Sequence, residues 1–575
     1  MKPVRLSAAA TLALPRWALF ALGLMYILPG LIGRDPWKED AGSFGIMLTM
    51  AHGGLADWLA PNIAGLPVAD SAPLAFWFGA LCIKLFGWLL GDVMAARVST
   101  IGVFALGTIS VWFTAFHLGR RADAQPLRLA FGGQPEPDDY GRTLADTAAL
   151  IYLGCLGLLV FSHETLAVTL QGALVASFFY RAVRYVEAPS LRNAALIGLT
   201  LGALILTHGW LTPLTLVLAL FLCTRFLDIP AAQTARNLAF AAGVALLLAC
   251  IWIVPATLMR PYQQAPVQHW LAWSLTQVGL PSVLSINAFL RVGIWFFWPA
   301  WPFAAWAIYA WRRQDKLLHI VLPLSFVGAL TVLILCDPIP ENGDLLKLLA
   351  PLAIMAAFGL PTMKRGAINA IDWFSVMVLT MLCALLWLFW VGKLTGWPAQ
   401  FSKNLLKLLP GYTPAFDLFG FAVAAAATVG WIMLVHWRIS RQPAVLWRAV
   451  VLSSGGLIML WVIVMTLFLP EANYRKGYAG MARDLSASLP PGLPAGDCIE
   501  TNVGPAQRAS LAHFGKLPFA RADSGQCGLL LVQYSLRLHG DKERALRDPA
   551  RWTLLWSGQR PSDKDERFRL YQRVK

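Results

Sequence analysis

Long apolar runs alternate with short polar loops through most of this chain. From residue 17 to residue 469 the apolar runs recur at about 20 residues each, the length of helix that crosses the hydrocarbon core of a bilayer. This pattern predicts a polytopic, all-α membrane domain over residues 1–469. Past Pro470 the pattern changes. Residues 474–489 and 505–514 read as helices, and 497–503, 528–534, 552–557 and 567–574 as strands. Residues 470–575 thus form a small α/β domain of about a hundred residues. No repeat of 20–50 residues is evident.

Loop charge orients the spans. The basic loops, at 120–142, 181–192, 225–236, 312–316, 364–365 and 437–448, are expected on the cytoplasmic side. Lys2, Arg5 and Arg16 precede the first span, residues 17–33, and no small-residue cleavage site follows it; this predicts an uncleaved anchor with a cytoplasmic N-terminus. Residues 34–92 then form the first outer loop. Residues 72–90 look like a span, but counting them as one would invert every later basic loop. With Lys84 in the middle, Trp77 and Trp88 along it and a proline at its start, this segment is read as an interfacial helix. The result is about thirteen spans with the C-terminal domain outside.

Composition narrows the functional classes. The chain is 57% hydrophobic and 14% charged over 575 residues, where a soluble chain would hold roughly 25% charged residues. The net charge of +16 is carried mostly in inter-span loops, so it reads as topology and contact with anionic membrane lipids rather than nucleic acid. Six cysteines (Cys82, Cys155, Cys223, Cys250, Cys336 and Cys383) are scattered through apolar segments and read as core residues. Cys498 and Cys527 lie in the polar C-terminal region and are expected to bridge if that region is in an oxidising compartment.

The stretch Arg34-Asp35-Pro36-Trp37-Lys38-Glu39-Asp40 places three carboxylates at the mouth of the first span, where charge is costly. A carboxylate can serve as a general base, and an arginine or lysine suits a phosphate. Asp35 and Asp57 read as loop charges or helix caps. The adjacent pair Glu39-Asp40 reads as functional.

Three stretches in order, Asp35-Pro36-Trp37-Lys38-Glu39-Asp40, Asp57-Trp58-Leu59-Ala60-Pro61 and Asp70-Ser71-Ala72-Pro73-Leu74-Ala75-Phe76-Trp77, resemble the opening of the protein O-mannosyltransferase-like glycosyltransferases. The bacterial 4-amino-4-deoxy-L-arabinose lipid A transferases are among these. The resemblance continues at Lys84-Leu85-Phe86-Gly87, at Ala96-Arg97 and over residues 344–358. It implies the GT-C fold and an inverting transfer from a polyprenyl-phosphate-linked sugar, of the undecaprenyl type. It also implies a glycolipid acceptor such as lipid A or another lipopolysaccharide component, or else a glycoprotein, at a bacterial inner membrane.

The family's acidic pair falls on Glu39-Asp40, with Asp40 chosen as base and Glu39 as its positioning partner. The family's glutamate-lysine pair falls on Asp70-Ser71, which keeps the carboxylate and loses the cation. A family tyrosine falls on Lys347, which would restore a cation beside a phosphate. His208 stands where relatives often carry Lys-Gly; it reads either as a helix-end residue or as a donor contact. Arg260 and Arg291 read either as snorkelling side chains or as phosphate clamps. Asp40, Asp70, His163 and Glu164 are candidates for a divalent cation, though no ligand spacing forces one. No glycine-rich nucleotide loop is present, which argues against a nucleotide cofactor or a nucleotide-sugar donor. A flippase for lipid-linked sugars should show inverted repeats and polar breaks at midplane, and neither is seen. A ligase or polymerase acting on lipid-diphosphate oligosaccharides stays open.

Overall fold

The computed structural model describes residues 4, 6–8, 11, 15–68, 70–128, 133–263, 265–314, 316–338, 340–441, 445–489, 498–520, 527–535, 552–563 and 565–574. Lys2, Arg5 and Asp497, the last an expected strand start, lie outside these.

The expected architecture is the one found: a polytopic helical bundle followed by a small α/β unit. Among the described residues seven helices are long and apolar enough to cross a membrane, or eight if the bent pair Val283–Phe296 and Ala300–Trp311 is one span. Four shorter apolar helices accompany them, Trp17–Gly30, Leu74–Leu90, Leu191–Ile205 and Leu211–Phe226. The helix Leu346–Gly359 is buried along its whole length and packs against Ala300–Trp311, Leu318–Leu335, Pro137–Leu153 and Ala167–Glu187. It is the centre of the bundle, and its small residues (Ala350, Ala353, Ala356, Ala357) let neighbours approach. At the periphery, the helix Arg365–Thr395 exposes Trp373, Phe374, Met377 and Met381, the surface a lipid-facing helix presents. This is a multi-pass membrane protein.

The helix Leu74–Leu90 ends at Gly91, whose φ of +74° lets the chain turn directly into the 29-residue helix Asp92–Arg120. At 1.5 Å per residue the first of these is about 25 Å long and the second about 43 Å.

In the C-terminal unit the strand Ile499–Thr501 runs parallel to Leu529–Ser535, which is antiparallel to Glu566–Arg573, which is in turn antiparallel to Trp552–Gly558. Cys498 and Cys527 are bridged beside the parallel pair. Tyr478, Met481, Leu485, Leu511, Phe568 and Leu570 form the core. The single helix expected over 474–489 is two, Leu469–Lys476 and Ala479–Ala487. The break is at Gly477, where a Cβ would lie 2.8 Å from an Asp35 carboxylate oxygen. A glycine is a poor helix former, and here it also leaves room for the first loop.

The helix Pro505–Gly515 of this unit lies on the helix Glu39–His52 of the first loop. Gly45 faces Ala509, and the Phe44 ring meets His513 edge to face at 5.0 Å. Arg508 donates to the Ala64 carbonyl at 2.7 Å and also to the Ala520 carbonyl. The C-terminal unit therefore sits over the stretch that the sequence marks as functional.

Candidate active site

The first loop is stapled from below by Arg97, which is 2% exposed. Its guanidinium donates to the carbonyls of Leu31, Arg34 and Asp35 and to the Asp40 carboxylate, 3.1 Å away. From above, Asn473 holds the same loop through the Asp35 N–H and the Gly33 carbonyl. The Trp37 ring lies between two cations, Arg34 at 4.5 Å and Lys476 at 4.6 Å. Between these fixed points Lys38 takes φ +48° and ψ −126°, a conformation that costs of order 1–3 kcal/mol. Lys38 is the residue from which the helix Glu39–His52 starts.

The two carboxylates that open this helix diverge. Asp40 is 1% exposed. One oxygen pairs with Arg97, and the other accepts from the Thr165 N–H at 2.7 Å and the Thr165 hydroxyl at 2.9 Å. Its capacity as an acceptor is taken up inside the protein, and it does not line the cavity described next. Glu39 is exposed and does line it. Of the pair, Glu39 is thus the open carboxylate and Asp40, the one chosen from the sequence as base, is the buried and bonded one.

The cavity has a volume of about 1030 Å³ and lies between the ends of the membrane helices and the C-terminal unit. Lys38, Glu39, Asp70, Ser71, Glu341 and Asp344 come from the membrane domain, and Lys476, Tyr478, Gln507, Arg560 and Asp563 from the C-terminal side. Arg560 is paired with Asp563 and Glu566. Lys38 and Lys476 make no ion pair among the described residues. Burial, with Arg34 and Lys38 nearby, lowers the Lys476 pKa. Both exposed at the cavity wall, Asp70 and Glu341 are still partly desolvated by the protein around them, which raises their carboxyls above the usual carboxylate range, and for Glu341 the charges of Asp344, Asp70 and Glu39 add to it.

A side pocket of about 40 Å³ opens off this cavity, sharing His208, Trp273, Gln277 and Asp344 with it. Lys347 lines the pocket, but its ammonium is bonded to Asp344 at 2.6 Å and both side chains are nearly buried. The expected free cation for a phosphate is therefore neutralised. His208 contributes its ring to both spaces, and burial lowers its pKa to about 4, so it is neutral at pH 7.

The remaining candidates do not converge. Arg260, just past the helix Ala231–Met259, and Arg291, on Val283–Phe296, are exposed side chains outside the cavity lining. His163 is fully buried; its ring nitrogens face the Leu159 carbonyl at 2.6 Å and the Tyr26 carbonyl at 2.9 Å, so neither nitrogen faces an open ligand position. Glu164 pairs with Arg34 at 2.8 Å. Asp70 stands in the cavity without either. Among the described residues no three His, Cys, Asp or Glu side chains could hold a metal ion, so the donor set does not fit the divalent cation that was considered. Asp57 does what a capping residue does: it accepts from the Gly54 N–H, from Asn62 and from the Tyr262 hydroxyl.

Sequence reasoning missed Lys38, Lys476 and the hub Arg97. Arg97 carried a usable signal, an arginine near the start of a membrane helix. Lys476 carried none, because it reaches the cavity only through docking of the C-terminal unit.

Comparison with solved structures finds ArnT from Cupriavidus metallidurans bound to undecaprenyl phosphate, with a TM-score of 0.65 and 14% identity over 96% of this chain and 97% of that chain. The same protein in the apo state matches with a TM-score of 0.62 at the same identity and coverage. No protein-family model and no curated protein sequence matches. At this identity the likeness is one of fold, and it extends through both the bundle and the C-terminal unit. The GT-C fold expected from the sequence is the fold of this chain.

Proposed function

We propose that this protein is a membrane glycosyltransferase that moves a monosaccharide from a polyprenyl-phosphate donor to an acceptor on the periplasmic side of a bacterial inner membrane. One observation carries the reading. In a chain with the fold of a protein crystallised with undecaprenyl phosphate, an open carboxylate, Glu39, shares a large cavity wall with two cations that make no ion pair among the described residues, Lys38 and Lys476. A lipid-linked donor would bring its sugar from the bundle side, and the acceptor would enter beneath the C-terminal unit.

In this reading Glu39 takes the proton from an acceptor hydroxyl or phosphate. The acceptor oxygen attacks the anomeric carbon from the face opposite the phosphate. The bond from that carbon to the phosphate oxygen breaks, its electron pair leaves with polyprenyl phosphate, and the configuration inverts. Lys38 and Lys476 offset the charge left on the phosphate. Asp40 and Arg97 hold the start of the helix so that Glu39 stays in place. Lipid A or another lipopolysaccharide component is the proposed acceptor, with a protein hydroxyl as the alternative.

The test is twofold. Lipid mass spectrometry of cells with and without the protein should reveal one glycolipid that gains a monosaccharide only in its presence. Purified protein should then transfer that sugar from its undecaprenyl-phosphate form and release undecaprenyl phosphate. Identical lipid profiles, together with no release of undecaprenyl phosphate in vitro, would refute the reading.

A further inference from the structure

The side pocket holds an unusual concentration of unsatisfied polar atoms. The Gln171 and Ser274 side chains are each 1% exposed. Gln171 donates its amide N–H to Thr212 at 3.1 Å, which leaves its carbonyl oxygen free. That oxygen, the Ser274 hydroxyl and the His208 Nδ1 are all buried without a hydrogen-bond partner among the described residues, and all three residues line the pocket. Leaving such a group unpaired costs about 1–3 kcal/mol. Three around one small space is more than folding alone would retain, because apolar side chains of like size would be more stable there.

The chemistry of the lining limits what fits. Lys347 is already paired with Asp344, and His208 is neutral, so the pocket offers no free cation to an anion. The Gln171 oxygen can only accept, and a serine hydroxyl or a neutral imidazole nitrogen can do so as well. An accepting pocket suits a group that donates hydrogen bonds. A volume of about 40 Å³ admits a substituent of a few heavy atoms and excludes a second sugar ring. The Trp273 indole, 4.9 Å from the His208 ring, stands where pocket meets cavity and offers an apolar face for a sugar ring.

We infer that this pocket is the specificity subsite for the transferred sugar, receiving one hydrogen-bond-donating ring substituent, a hydroxyl, hydroxymethyl or amino group, on Gln171, Ser274 and His208. The inference rests on the transferase reading above and adds to it which part of the donor is read and by which residues.

The experiment uses the full-length purified protein. Undecaprenyl phosphates carrying a panel of pentoses, hexoses and amino sugars identify the donor turned over best. That donor is then compared with its singly deoxygenated or deaminated forms. For one ring position the wild type should lose at least about tenfold in kcat/KM, since a site built around a polar substituent rejects its absence. In Ser274→Ala and in Gln171→Met that discrimination should collapse at the same position and be kept at the others. Ser274→Ala removes an unpaired buried group, so its melting temperature should equal or exceed that of the wild type; a merely structural serine would show a loss instead. If both variants fold and keep the wild-type pattern of discrimination, the pocket holds only water and the inference is overturned. If the wild type turns over no donor in the panel, the transferase reading fails, and this inference with it; the two failures are separate results.

Discussion

Consecutive residues on a helix point about 100° apart, so the first turn of the helix Glu39–His52 can send one carboxylate into the cavity and the next into the bundle. The sequence marks the pair, because adjacent acids at a membrane boundary are costly. It does not reveal which acid is open, since that depends on the Lys38 backbone from which the helix starts. Glu39→Gln should leave the fold intact and slow transfer by about 10²–10⁴-fold, the usual cost of losing a general base. Asp40→Asn should act differently. It leaves the Arg97 charge buried without its partner, a change worth about 3–5 kcal/mol, and should show first as a lowered melting temperature. Comparing melting curves with turnover for the two variants tests the assignment; a stable but inactive Asp40→Asn alongside an active Glu39→Gln would reverse it. Asp70 allows a pH test. Its folded pKa lies above the unfolded one, so the fold binds that proton more tightly, and stability is lost as pH rises from the unfolded value of about 3.9 through the folded one. Asp70→Asn should therefore raise the melting temperature at pH 7, with the gain shrinking at pH 4. A gain that grows on acidification would contradict the raised pKa.

Among elements, the helix Glu39–His52 is the one that the rest of the site is built around, and the helix Pro505–Gly515 clamps it. The contact is close at Gly45, where a Cβ would come 2.5 Å from the Ala509 Cβ and 3.0 Å from an Ile63 methyl. Gly45→Ala should therefore force the two helices apart, at about 1–3 kcal/mol, and reduce transfer by tilting Glu39. Adding Ala509→Gly should restore both melting temperature and turnover; failure of that rescue would show that the loss has another origin. The strands and helices of the C-terminal unit are legible in the sequence to within a few residues, because alternation, proline and glycine mark them locally. Its docking is not legible. Gly477, whose break in the helix is a local signal, also admits Asp35, 442 positions earlier, and that approach carries no mark in the sequence. For the same reason Lys476 and Arg560, which line the cavity from this unit, could not be named in advance, while Arg260 and Arg291, suggested by their place beside a long loop, stand outside the lining.

For the whole molecule, contacts between loops sort into two groups that match the grouping by charge. In the first, Leu127 bonds to Val4 and Ala8 to Gly133, Arg184 meets His117, Lys316 pairs with Asp228, and Arg438 with Asp372; these belong to the N-terminal segment, the expected cytoplasmic loops and their adjoining helix ends. In the second, Arg34 pairs with Glu164, Asp57 accepts from Tyr262, and Tyr474 donates to Pro410; these are expected outer loops and the start of the C-terminal unit. The helix Leu74–Leu90 starts beside Leu206, bonded through Leu74, and its end is joined through Gly91 to Asp92, which pairs with His52. Its ends thus meet Leu206 and His52, both in or beside expected outer loops, which is the arrangement that the proposed interfacial placement of 72–90 calls for. The helix Asp92–Arg120 then runs from the second group to the first. A disulfide at Cys498–Cys527 suits an oxidising outer compartment. Single cysteines at Gln134 and Gln559, both exposed, in a background lacking Cys250, test the arrangement. In intact spheroplasts an impermeant maleimide should label Gln559→Cys and spare Gln134→Cys, and both should label after lysis. Labelling of both before lysis would mean that residues 72–90 cross the membrane, and labelling of Gln134→Cys alone would mean that the whole arrangement is inverted. The cavity that holds Glu39 would then lie on a different face from the one proposed for the acceptor.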